Sequence, residues 1–131
     1  VGNAFMEKRR SAGIVSGTIL AGDVDDATVI IIDDLISSGG TMVRAAVACR
    51  EHGAKAVYAF AAHGLFTGDA ATNLADPAIS GLFVSDTVPP FRLPPPAAAR
   101  VETIPTAPLF AEAIRRIDEN GSLIELLGST E

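Results

Sequence analysis

Two adjacent carboxylates, Asp33 and Asp34, stand at the end of the apolar run Val29-Ile30-Ile31-Ile32 and three residues ahead of Ser37-Ser38-Gly39-Gly40-Thr41. Glycine tolerates positive φ and close backbone approach. Such a turn can therefore aim several N–H groups at one anion, while the neighbouring hydroxyls add donors. Residues Met42 to His52 read as a helix, whose N-terminus would direct partial positive charge at the same place. Together these features read as a sugar-phosphate site. The rival reading is a polar strand exit followed by an ordinary acid at a helix start, and the adjoining Gly-Gly-Thr argues against it. A second group of interest is Lys8-Arg9-Arg10, which taken alone is a solvated charge run.

The elements that must position these groups alternate. Strands are predicted at Thr28 to Asp33, Ala56 to Ala62, Leu82 to Ser85 and Val101 to Ile104. Helices are predicted at Gly40 to His52, Gly68 to Leu74 and Pro108 to Glu119. A βαβα order implies a parallel sheet with helices over both faces, and four β-branched residues in a row suit a strand buried on both sides. The carboxylates then fall where that strand leaves the sheet, at the edge where ligands of open α/β sheets bind. Gly53 is a good helix stop, and Pro108 suits a first helical turn. Lys8 to Asp26, rich in small residues and weakly alternating, fits a mobile loop or hairpin. Residues 89–100, with five prolines and three consecutive alanines, read as an irregular surface loop.

A chain of 131 residues suits one domain, 1–131, with a real core. The net charge of −6 leaves no basic face for nucleic acid, and the apolar runs are too short and interrupted to cross a bilayer. One cysteine, Cys49, cannot form an internal disulfide, reads as a small core residue of its helix and fits a reducing compartment, with the cytoplasm as default. His63 reads as a satisfied histidine at a strand end. His52 and the Arg115-Arg116 pair read as complements to helix C-termini, the arginines alternatively as contacts to a neighbouring subunit. No zinc-like spacing is present. The start at Val1 rather than methionine suggests a fragment or a processed product.

Several separated segments resemble those of ribose-phosphate pyrophosphokinases, also called phosphoribosyl pyrophosphate synthetases. Glu7-Lys8-Arg9-Arg10 is similar to that family's catalytic flexible loop (residues 7–26 here), and Ile32 to Thr41 to its ribose-phosphate loop. Ala62-His63-Gly64-Leu65-Phe66-Thr67-Gly68, Ser85-Asp86-Thr87-Val88-Pro89 and Ala107 to Ile117 follow in family order. The resemblance covers nearly the whole chain. It implies an α/β fold, the parallel-sheet, three-layer type I phosphoribosyltransferase-like domain, here the C-terminal part of a two-domain parent.

It also implies an activity: a pyrophosphoryl group passes from ATP to the anomeric hydroxyl of ribose 5-phosphate, with Mg2+ required, giving phosphoribosyl pyrophosphate and AMP. By resemblance Ser37, Ser38, Gly39, Gly40 and Thr41 hold the 5-phosphate. Asp33 binds the ribose hydroxyls, alone or through Mg2+, with Asp34 as helper, and Lys8 and Arg10 stabilise the transferring group. Ser37 and Ser38 stand where these enzymes often carry aspartate and threonine. The family's N-terminal domain, which helps form the ATP site, is absent from this sequence, so the chain alone is expected to be inactive and its parent a homo-oligomer. A phosphoribosyltransferase that consumes phosphoribosyl pyrophosphate, and a non-catalytic regulatory homologue, are the two competing readings.

Overall fold

The structure is a computed structural model that describes residues 2, 4–11 and 14–128, with side chains described from residue 22 onward and at residues 2 and 4. Val1 and Asn3 lie outside the described residues, as do the side chains of Lys8, Arg9 and Arg10. The chain opens with an antiparallel pair, β1 (Phe5–Ser11) and β2 (Ile14–Ala21), whose register shifts between Lys8 and Arg10. This antiparallel pair takes up much of the segment from Lys8 to Asp26, for which a mobile loop or hairpin is expected.

The core is a parallel sheet of β3 (Thr28–Ile36), β4 (Ala56–Gly64), β5 (Gly81–Ser85) and β6 (Val101–Ile104), in that spatial order. Between them run α1 (Gly40–Glu51), α2 (Ala70–Asn73) and α3 (Pro95–Ala98). After β6 come α4 (Ala107–Asp118) and α5 (Leu123–Leu126). Val57, Ala59, Leu82 and Val84 point into one core with Met42, Ala46 and Cys49 of α1, Ala70 of α2 and Leu74 just after it. Alanine and cysteine on the inner stripe of α1 let that helix sit close to the strands. Cys49, 2 % exposed, is a core residue as its sequence context suggested, and burial pushes its thiol pKa up.

The expectation that the Val29–Ile32 strand is buried on both sides is corrected; β3 is an edge strand of the sheet. Ile30 and Ile32 are 59 % and 80 % exposed, whereas Val29 and Ile31 pack against the core. The cause is topological. Strands that step in one direction through right-handed crossovers place every crossover on the same face of the sheet. The opposite face therefore carries Ile30, Ile32 and a stack of Phe60 on Phe83, with ring centroids 4.4 Å apart. The Pro-rich stretch is corrected as well. Prolines at the first helical positions need no N–H donor, and α3 forms within it behind Pro94.

β3 and β4 run two to three residues beyond their expected ends, so both carboxylates lie inside β3. The alternation of inward and outward residues slips there: Ile36 rather than Leu35 is buried, and in β4 Gly64 follows the exposed pair Ala62 and His63. Pairing with β4 is interrupted at the same level without a change of register, since Asp33 matches Ala61 and Leu35 matches His63 while Asp34 has no register partner. Among the described residues no helix is long and apolar enough to cross a membrane.

Candidate phosphate-binding edge

All four core strands are parallel, so their C-terminal ends share one edge, and β3 delivers the Ser37–Thr41 turn to it. Gly39 adopts φ +76°, the left-handed conformation, and caps the N-terminus of α1 without a side-chain hydrogen bond. A Cβ at Gly39 would lie 2.8 Å from Leu74 Cγ and Cδ2, a buried side chain, so backbone geometry and packing both demand glycine. The next glycine serves a different purpose. A Cβ on Gly40 would lie 3.3 Å from an Arg44 guanidinium nitrogen and 3.8 Å from Ser38 Oγ, among the polar groups of the turn.

The turn leaves donors available. Val43 N donates to the Gly39 carbonyl at 3.0 Å, beginning the helical ladder. The N–H groups of Gly39, Gly40, Thr41 and Met42 have no acceptor among the described residues. Orphan donors are normal at a helix start, and here the first turn carries no acidic side chain to neutralise the positive end of the helix. Such an end accepts an anion.

The turn is braced on three sides. Ser37 Oγ lies 2.8 Å from Thr67 Oγ1, and Thr67 N donates to the Ser37 carbonyl at 3.0 Å. Leu65 N donates to the Ile36 carbonyl at 2.9 Å. Asn73, the last residue of α2, donates its side-chain amide to the Ser38 carbonyl at 2.8 Å. The hydroxyls of Ser38 and Thr41 stay at the surface, and Arg44 reaches back one helical turn to Thr41 Oγ1 at 3.4 Å.

Asp33 continues the row of Val29 and Ile31 on the helix-covered face and is half-buried, whereas Asp34 is exposed. Asp33 Oδ1 accepts the Asp34 N–H at 2.9 Å, which aims that carboxylate along the strand end. The structure thus brings Asp33, Ser37, Ser38, Gly39, Gly40 and Thr41 to one edge with Asp34 beside them. Lys8 and Arg10 sit in β1, and their expected chemistry falls outside the described side chains. The Cα trace of β2 approaches that of α1, so the hairpin lies beside the helix that begins at the turn. Among the described residues no group of three or more His, Cys, Asp or Glu side chains could hold a metal ion.

Four contributors escaped the sequence reading. Arg44 had a readable signal, since positions three and four after Thr41 and Gly40 share a helix face with them. Thr67, Asn73 and the polar group around Thr87 reach this edge only through tertiary folding.

The sequence profile of the phosphoribosyl synthetase-associated domain matches residues 14–128, most of the chain. This chain belongs to that family. Relatives similar to it include the ribose-phosphate pyrophosphokinases of Haemophilus ducreyi, 42 % identical over 121 residues, and Haemophilus influenzae, 41 % identical over 121 residues. Each alignment covers 92 % of this chain and 38 % of the relative, so the chain spans well under half the length of the curated relatives it matches. The fold agrees with the crystal structure of phosphoribosylpyrophosphate synthetase from Mycobacterium smegmatis, with a TM-score of 0.72 at 35 % identity. That alignment covers 90 % of this chain and 37 % of the other. The α/β class and the family resemblance read from the segments of the chain are both borne out.

Proposed function

We propose that this chain is the ribose-5-phosphate-binding part of a ribose-phosphate pyrophosphokinase. The observation that carries the reading is the set of orphan N–H groups from Gly39 to Met42, gathered by a left-handed glycine at a helix start free of acids. A phosphate monoester suits this set better than a carboxylate, because its oxygens can accept from several convergent donors at once. Arg44 adds a mobile positive charge above the turn.

In the whole protein the anomeric hydroxyl of ribose 5-phosphate attacks the β-phosphorus of ATP. A new oxygen–phosphorus bond forms, the bond to the α–β bridging oxygen breaks, AMP leaves and the hydroxyl proton is released. Lys8 and Arg10, on the hairpin, supply positive charge to the transferring group, where positioning and electrostatics do most of the catalytic work. Asp33 holds the ribose hydroxyls and is the carboxylate that would hold Mg2+. An ion that keeps water and shares phosphate oxygens needs only one or two protein carboxylates, which fits this edge. When bound, the ion would supply charge neutralisation at the phosphates.

Calorimetric titration with ribose 5-phosphate, with and without Mg2+, tests the reading on this chain and on Gly40→Val. The valine fills the turn without requiring the left-handed backbone that Gly39 needs. Saturable binding that weakens at least about tenfold in a folded Gly40→Val protein is expected. Equal affinities, or no binding by the unmodified chain, would remove ribose 5-phosphate from this turn.

A further inference from the structure

His63 ends β4 at the same edge, exposed, and its sequence context suggested a satisfied strand-end histidine. Its Nδ1 lies 2.7 Å from Thr87 Oγ1, and Thr87 Oγ1 lies 2.7 Å from Ser85 Oγ. Ser85 Oγ donates to the Ala62 carbonyl at 2.5 Å, and Thr87 Oγ1 is 3.3 Å from that same carbonyl. Two hydroxyls bring two protons to these contacts, and a carbonyl oxygen can only accept. The count then limits the imidazole.

If Ser85 gives its proton to Ala62, as the short contact requires, the close Ser85–Thr87 pair needs the Thr87 proton between them. If Ser85 instead pointed at Thr87, its 2.5 Å contact with the Ala62 carbonyl would hold no proton. Three contacts of 2.7 Å or less need one proton each and the two hydroxyls supply two, so the third comes from His63 Nδ1 as donor to Thr87. The neutral ring then carries a bare lone pair on Nε2. Among the described residues Nε2 has no hydrogen-bond partner, and His63 is exposed.

The position of that lone pair gives it a use. His63 is in register with Leu35, one strand spacing, about 4.8 Å, from the end of β3. The segment that follows it is zipped to the phosphate turn through Leu65 N to Ile36 O at 2.9 Å and Thr67 N to Ser37 O at 3.0 Å. A sugar attached to a phosphate on that turn presents hydroxyl donors, which need acceptors. Carboxylates supply them at the cost of repelling the phosphate, whereas a neutral imidazole nitrogen accepts without adding negative charge. We propose that the Ser85–Thr87 relay fixes His63 as the Nδ1–H tautomer so that Nε2 accepts a hydroxyl of the sugar phosphate seated on Ser37–Thr41. The proposal rests on the ribose-5-phosphate reading above and adds a sugar-contacting residue on a second strand.

The test combines 15N imidazole spectroscopy with binding at mildly alkaline pH, in a chain that has two histidines. A His63→Asn variant assigns the resonances and places an amide donor where Nδ1 stood, so it keeps the link to Thr87 but removes the outer acceptor. Nε2 of His63 is expected in the unprotonated range and should shift when ribose 5-phosphate is added. His63→Asn should bind ribose 5-phosphate about 5- to 10-fold more weakly yet bind inorganic phosphate as the unmodified chain does. A proton on Nε2, or equal ribose 5-phosphate affinity in the two proteins, overturns the role of His63 alone. Failure of the unmodified chain to bind either ligand overturns the sugar-phosphate reading, and this proposal with it.

Discussion

The side-chain amide of Asn73 donates to the main-chain carbonyl of Ser38 at 2.8 Å, tying the last residue of α2 to the Ser37–Thr41 turn. With Ser37 held by Thr67, the turn is fastened at two consecutive residues before any ligand arrives. A preordered turn loses less conformational entropy on binding.

Asn73→Ala should therefore act on affinity first. Loss of one neutral hydrogen bond, about 1 kcal/mol, predicts ribose 5-phosphate binding weakened roughly fivefold. Titration beside urea denaturation checks the split, and a midpoint that falls while affinity holds would show that the contact serves the fold rather than the turn.

Arg44 is exposed and takes no part in the core, so Arg44→Ala should leave the unfolding transition within about 0.5 kcal/mol of the original. Its guanidinium lies at the turn, and phosphate binding should weaken about 3- to 10-fold, most visibly at low ionic strength. Titrations at two salt concentrations would reveal it, and an affinity indifferent to the substitution would place Arg44 outside the site.

Arg50 behaves in the opposite way. From α1 it donates to the carbonyls of Ala78 at 3.2 Å, Ala54 at 3.2 Å and Lys55, and to Ser80 Oγ at 2.9 Å, joining the far ends of the sheet's connections. Arg50→Ala strips a charged donor from partly buried carbonyls and should cost about 2–3 kcal/mol, read as a lower urea midpoint. Since these contacts lie at the N-terminal side of β4 and β5, ligand affinity in the folded fraction should be unchanged.

Acid should loosen the C-terminal helices before the core. Hydrogen bonds from Arg115 first and Arg116 second hold Glu112 down at about 2, from a usual value of 4.5. A carboxylate depressed in the folded state contributes its stabilisation above 4.5 and loses it as pH falls from 4.5 through about 2. Arg115 is exposed while Glu112 and Arg116 are half-buried at the surface, so salt should shrink the effect in part. Circular dichroism across that range should report a helix loss that Glu112→Gln abolishes; a helix signal flat to pH 2 in the unmodified chain would contradict the assignment.

How far the chain could be read before folding depended on whether the signal was local. The Ser37–Thr41 turn was legible because Gly39, Gly40 and the hydroxyls around them are contiguous, and β3 was legible as a β-branched run. The open sheet face was not. Ile30 and Ile32 look like buried residues, and only the one-way strand order shows that no crossover covers them. The α3 helix hid among prolines usually read as breakers, although prolines are well placed at N1 and N2. The hydrogen-bond partner of His63 was not legible either, because Thr87 and the Ser85 beside it are more than twenty residues away and no spacing rule names them.

Cys49 gives the molecule a clock of its own. Its thiol is the only one in the chain and is 2 % exposed beneath α1, so a thiol reagent can reach it only when that helix lifts from β4. The rate of single-site alkylation therefore counts those excursions directly, and a ligand that settles on the N-terminal turn of the same helix should slow the count in proportion to its occupancy.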